Sequence, residues 1–264
     1  MEWLAGRVVS RFTDECVVLQ DNGINAGMPD LLIDYRDRQP GYVEVWTDIQ
    51  GDYAAMWSRW MSVGRIPYPM AAPSLSRAWQ VTVSGAAFQK SWPLERELEA
   101  LLRDLELKGM VFERVASEET LRAFGGSVAR LLDLGVVQLA SAPSGAGVAN
   151  LYPAGTSGPA AVSWEPVLDW ISATLSSPQF KDNRRKLAAT GAHERHMFIG
   201  ATFTSPGEVF FALKLPDQSL PQVPPSLPHE MTHLWLVNAI AAERVLAWFP
   251  DRGWIEVIRN WATD

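Results

Sequence analysis

The sequence predicts an α/β protein. Three observations carry that reading. Short β-branched runs are set off by turn signals, amphipathic stretches at helical spacing lie between them, and 47% of the 264 residues are apolar. That apolar content is ample for one large domain or two small ones, and the chain shows no repeat or low-complexity tail.

Each element follows from its residues. Glu2 to Phe12 places Leu4, Val8 and Phe12 at four-residue spacing, which predicts a short amphipathic helix. Cys16 to Gln20 is an apolar run ending at the turn Asp21-Asn22-Gly23 and predicts a strand in which the Cys16 thiol is buried and inert. Pro29 to Tyr35 and Gly41 to Thr47 predict two more strands, joined by a polar turn ending in Pro40 and Gly41. Tyr53 to Val63, with Met56, Trp57, Trp60 and Met61, predicts a helix, and Trp79 to Ser84 predicts a fourth strand. Ser91 to Gly109 is the clearest helix, with Ser91 as cap, Pro93 in its first turn and a stripe of Leu94, Leu98, Leu101, Leu102 and Leu105. Ser117 to Leu134 reads as a helix weakened at Gly125-Gly126. Strands are predicted over 136–140 and 148–152, helices over 164–175 and 179–190, and a strand over 196–203. Pro216 to Pro228 is a proline-rich loop, and strands close the chain at 232–237, 245–249 and 254–258.

Charge and cysteine usage exclude several classes of function. A formal net charge of −7 argues against broad, sequence-independent binding to a polyanion, although it leaves room for a local basic groove. The many carboxylates suit a site that holds a divalent cation. A single cysteine rules out an intramolecular disulfide and a cysteine zinc cage. Met1 to Arg7 lacks the basic start and apolar stretch of a signal peptide. The longest apolar run, near Leu234 to Ala242, is too short to span a bilayer. A cytoplasmic location without membrane partners is therefore expected. The twelve tryptophans, spread along the chain, are expected to be core anchors.

Two motifs carry chemistry. The first is Pro29-Asp30, thirteen intervening residues, then Glu44-Val45-Trp46. Two carboxylates at the ends of neighbouring strands can share a cation, and a residue two places after Glu44 points to the same face of its strand. This pattern resembles the PD-(D/E)xK family of restriction-endonuclease-like proteins. The likeness covers residues 2 to 84 with an order of helix, three strands, helix, strand. It implies an αβββαβ core over 1–110 with an α+β extension over 111–264, or the two as one continuous domain. It also implies that Asp30 and Glu44 ligate Mg²⁺ or Mn²⁺ for phosphodiester hydrolysis, with DNA as a possible partner. Trp46 departs from the pattern, since the family places a lysine there, and tryptophan supplies no charge. Either another base reaches in, with Lys90, Lys181, Arg184, Arg185 and Lys186 available and Lys181 named as the candidate, or the fold serves only to bind nucleic acid or protein. The layout is also similar to a group of bacterial nuclease-like proteins whose later part carries strands like Glu194-Arg195-His196-Met197-Phe198 and Leu227-Pro228 with Thr232-His233-Leu234-Trp235.

The second motif is His229-Glu230-Met231-Thr232-His233, which matches H-E-x-x-H. On a helix, His229 and His233 would bind zinc, Glu230 would act as general base, and Glu243 or Glu256 would supply a third ligand, giving a zinc metallopeptidase. The context opposes a helix. Pro228 directly precedes the motif and the strand formers Leu234 to Val237 follow it. His193 and His196 form a second pair, read as a polar turn entering a strand. The cluster from Lys181 to Lys186 offers Lys181, Arg184 and Arg185 as a phosphate-contacting face, and a solvated helix face is the commoner meaning of such a cluster. No serine-nucleophile elbow and no phosphate loop is present.

Overall fold

The computed structural model describes residues 1–21, 27–49, 51, 53, 68–88, 93–154, 163–202, 204–214, 219–239 and 244–258. The chain divides into two compact units, one built from residues 1–48 with 158–264 and the other from residues 49–157. The division at 110 expected from the sequence is not where the compact units part. The second unit interrupts the first.

The first unit is a seven-stranded mixed sheet. Helix α1 (Glu2–Thr13) leads into β1 (Cys16–Leu19), β2 (Leu31–Asp34) and β3 (Gly41–Asp48), which pair antiparallel in sequence order. After the second unit come α5 (Glu165–Ser176), α6 (Lys181–Ala189), β9 (Arg195–Ala201), α7 (Gly207–Ala212), β10 (His233–Asn238), β11 (Val245–Phe249) and β12 (Gly253–Ile258). The strand order is β1-β2-β3-β9-β10-β11-β12. β9 lies parallel to both β3 and β10, so β3 reaches its central neighbour through the helical crossover of α5 and α6. Central strands covered on both faces carry near-continuous apolar runs, and β10 (His-Leu-Trp-Leu-Val-Asn) is buried along its whole length.

Two cores cover the two faces of this sheet. On one, Leu4, Ala5, Val8 and Val9 of α1 pack with Ile33, Val43, Phe198, Trp235 and Val245. On the other, Val167, Ile171 and Leu175 of α5, Phe180 and Leu187 pack with Met197, Ile199, Leu234 and Leu236. Alternation along β3 sends Val43 and Val45 toward α1, and Tyr42 and Trp46 toward α5 and α6.

The second unit is a five-stranded sheet, β4 (Tyr68–Ala71), β5 (Ala78–Val83), β6 (Ala116–Ser117), β7 (Val136–Ala142) and β8 (Val148–Pro153), in the order β4-β8-β5-β7-β6. Its helices are α2 (Pro93–Leu107), α3 (Glu118–Leu121) and α4 (Ser127–Asp133). The leucine stripe of α2 is buried at Leu94, Leu98, Leu102 and Leu105. α2 packs on α4, and α4 packs on β7. Trp79 of β5 is fully buried, and its indole donates to Glu106 of α2 at 2.9 Å.

Several expectations change. The strand expected over 79–84 forms as β5 but belongs to the second unit, so the strand that follows the helical crossover in the first unit is β9. The helix expected over 117–134 is two helices, because Gly126 adopts a left-handed φ of 60° and breaks the run. Cys16 is exposed rather than buried, since β1 is an edge strand with most of its side chains in solvent. All but the first residue of the helix expected over 53–63, together with the Ser91 cap, Lys90 and Glu243, lie outside the described residues. Among the described residues no helix is long and apolar enough to cross a membrane.

Candidate active site

The hairpin of β2 and β3 brings the acidic pair together. Leu31 pairs with Val43, so Asp30 lies one step further along, beside Glu44 and Val45. The backbone N–H of Val45 donates to Asp30 Oδ2 at 2.7 Å and fixes that carboxylate at the strand end. Glu44 points to the same face as Trp46, toward α6, and is 1% exposed.

Helix α6 closes over it. Asn183 Nδ2 donates to Glu44 Oε2 at 2.9 Å, and Lys186 Nζ lies 3.3 Å from Glu44 Oε1 and 3.7 Å from Asp21 Oδ2. Residues three apart share a helix face, so one face of α6 presents both groups to the acidic pair. Leu187, fully buried, anchors that face to the sheet. Trp46 helps to seat the helix. Its ring meets Phe180, the residue before α6, edge-on at 4.6 Å. The position where the sequence motif lacks its lysine therefore holds an aromatic contact, and a lysine arrives from the helix that this contact seats.

The charges are tightly coupled. Burial first, and then the neighbouring Asp30 carboxylate, push Glu44 up to about 8, against the pull of Lys186 and Asn183. Burial likewise raises Asp30, opposed by the Val45 N–H and Lys186, with Glu2 and Asp21 adding to the rise. Burial pulls Lys186 down, but Glu44 and Asp30 outweigh it, so the ammonium is held more firmly than an ordinary lysine. The pair is thus one buried and one half-buried carboxyl group facing a single ammonium.

The other basic residues singled out from the sequence do different work. Lys181 is exposed at the first turn of α6, and Lys186 is the lysine that reaches the acidic pair, a correction to the expected assignment. Arg184 donates to the carbonyl of Leu175 and, at 3.1 Å, to that of Ser177, so it caps the end of α5. Arg185 pairs with Asp182 on the surface at 2.5 Å. The expected phosphate-contacting face is thus divided among a cap, a surface pair and a free-standing helix start. Sequence reasoning did not single out Asn183 or Lys186; the apolar Leu187 in this charged run is the one signal that could have marked the sheet-facing side of the helix.

The H-E-x-x-H segment is not a helix. His229 and Glu230 form a turn closed by the Met231 N–H on the Pro228 carbonyl, and β10 begins at His233. The His229 side chain is 92% exposed while His233 is buried, so the pair required by the zinc reading does not converge. Glu256, the second downstream candidate, lies on β12, 3.5 Å from Arg244.

His233 has different company. Parallel pairing of β9 and β10 sets His196 beside His233, with rings stacked at 4.2 Å on the α1 face of the sheet, opposite to Glu44. Ligand atoms of Glu194, His196 and His233 lie within 4.8 Å of one another, so the group could hold a metal ion. Its protons argue for another role. The Trp235 indole donates to His196 Nδ1 at 3.1 Å, and an indole nitrogen can only donate, so the neutral ring carries its proton on Nε2. Nε2 faces Glu194 Oε2 at 3.4 Å, and a metal there would have to displace that proton. Glu194 also accepts from Tyr35 and Arg38. Burial raises Glu194, but the contacts from His196, Tyr35 and Arg38 prevail and hold it down at about 2. Burial pulls both histidines down, His233 to about 3, so both rings are neutral at pH 7. This is a buried polar network that ties β2, β9 and β10 together.

No protein-family model, curated protein or solved structure matches the chain.

Proposed function

We propose that this chain is a divalent-metal-dependent phosphodiester hydrolase of the PD-(D/E)xK, restriction-endonuclease-like kind, in which Lys186 of α6 replaces the motif lysine. The observation that carries the proposal is Lys186 Nζ at 3.3 Å from Glu44 Oε1, beside the Asp30 carboxylate. In that reading the core is α1, β1, β2, β3, the α5–α6 crossover and β9, with the second unit inserted after β3.

Asp30 and Glu44 fit a hard cation. Both are oxygen donors, and among the described residues Glu44 Oε1 is buried without a hydrogen bond, with the Lys186 ammonium 3.3 Å away. When bound, Mg²⁺ or Mn²⁺ would polarise the phosphate and acidify a water. The chain's own groups do the rest. The Val45 N–H and Asn183 hold the two carboxylates in place. Lys186 offers a fixed ammonium to the charge that develops on the phosphate oxygens, in a site where burial strengthens that interaction. Trp46 and Phe180 fix the distance of α6 from the sheet.

The test is cleavage of labelled DNA in Mg²⁺ and in Mn²⁺. Glu44→Gln and Lys186→Met should each lower the rate by about 100-fold or more, as loss of an electrostatic catalytic group does, while Lys181→Met leaves it unchanged. Full activity in Lys186→Met would remove the proposal. Metal-independent binding without hydrolysis by the unaltered chain would instead mark a binding protein on the same fold.

A further inference from the structure

Beside α1 runs an open groove of about 640 Å³, lined by Glu2, Trp3, Arg7 and Arg11 of the helix and by Leu19 and Leu31 of the first two strands. It lies on the α1 face of the sheet, opposite to Glu44, and comes nearest to Asp30 at Leu31, the next residue, and at Glu2, whose charge acts on Asp30. Trp3 is 68% exposed, in contrast to the fully buried Trp79 and Trp235. Arg7 lies over the Trp3 ring at 4.8 Å, which leaves the other face of the indole for a partner. Arg7 and Arg11 stand one helical turn apart, about 5–6 Å between Cβ atoms, and both are exposed. In a chain of net charge −7, the two arginines of this groove outnumber its one carboxylate, Glu2.

Gly6 supplies an independent observation. Glycine weakens a helix interior, and a Cβ at Gly6 would meet nothing within 4 Å. Packing does not require glycine there. What a side chain at position 6 would do is stand in the groove.

We propose that this groove binds a single strand of nucleic acid, with an unpaired base stacked on Trp3 and successive phosphates on Arg7 and Arg11. A stacked base must be unpaired, so the feature selects single strands over duplex. The proposal takes its ligand class from the hydrolase reading and deepens it.

Binding of a fluorescein-labelled 15-mer of deoxythymidine, and of a duplex of equal length, is measured by anisotropy in EDTA, so hydrolysis plays no part. The single strand should bind more tightly than the duplex. Trp3→Ala should weaken it about tenfold. Arg7→Ala with Arg11→Ala should lower the slope of log affinity against log salt by about 1.4, since each phosphate contact on a single strand contributes roughly 0.7. Gly6→Leu should abolish binding while the melting temperature holds or rises, which separates a blocked groove from a damaged fold. Equal affinity for duplex, or Gly6→Leu binding as the unaltered chain does, overturns the proposal. So does a change from dimer to monomer in Gly6→Leu by light scattering with oligonucleotide binding intact, which would assign the groove to a second copy of the chain. Binding as expected in a chain that never cleaves DNA would sink the hydrolase reading and leave the groove standing.

Discussion

Glu44 sits where two requirements conflict. Its place on β3 buries it against α6, and burial beside Asp30 favours the protonated acid, up to about 8. The native state therefore keeps a proton that the unfolded chain releases near 4.5, and the stability this contributes is present below 4.5 and lost as pH rises through 8. The melting temperature of the metal-free chain should fall between about pH 5 and pH 8, and Glu44→Gln should flatten much of that fall. A divalent cation needs the carboxylate ionised, so stabilisation by Mg²⁺ should grow across the same window and vanish in Glu44→Gln. A pH-independent Mg²⁺ shift in melting temperature would count against Glu44 as a ligand. Asp30 and Glu44 were legible in the sequence as a pair, because strand alternation and a short hairpin fix their placement. Lys186 was not. Its contribution depends on how α6 docks, and five basic residues were candidates without a docking geometry to separate them.

At the scale of elements, the helix from Lys181 to Ala189 is read correctly as a helix, while the three basic residues offered as a phosphate-contacting face do not share one environment. Its charge pattern looks uniform in sequence, but each residue meets a different surface. Arg184 closes the end of α5 by donating to the carbonyls of Leu175, in its last turn, and of Ser177, its cap residue. Arg184→Ala should cost about 1–3 kcal/mol of stability, measured by urea unfolding, with no change in the salt dependence of oligonucleotide binding. A weakened salt dependence would return Arg184 to the nucleic-acid interface. Lys181→Ala, by comparison, should be neutral in stability. The H-E-x-x-H segment shows the same limit from the other side. Five letters fit a zinc helix, yet Pro228 and the β-formers after His233 set a turn and a strand, and the flanking residues decide the local structure.

At the scale of the whole chain, the periodicities that identify elements one at a time say little about which strands share a sheet. β5 was expected to complete the first sheet because it comes next in sequence after a helical segment. In the structure it lies at the centre of a different sheet, between β8 and β7, and the strand next to β3 in the first sheet is β9. The reason is physical. The alternating pattern of β5 buries Trp79, Val81 and Val83 on one face, while β9 is buried on both, as a central parallel strand requires. An insertion of this kind survives if it closes its own core and leaves the host sheet's pairing intact. Residues 49–157 meet that condition, with their own five strands, the leucine stripe of α2 and a buried tryptophan anchored to Glu106. The fragment 49–157, expressed alone, should therefore melt in one cooperative transition and show the blue-shifted fluorescence of a buried Trp79. Substituting Leu98→Ala within it should lower its stability by about 2–5 kcal/mol. A fragment that unfolds without cooperativity would show that the second unit depends on the first for its core, and the chain would then be one folding unit despite its two sheets.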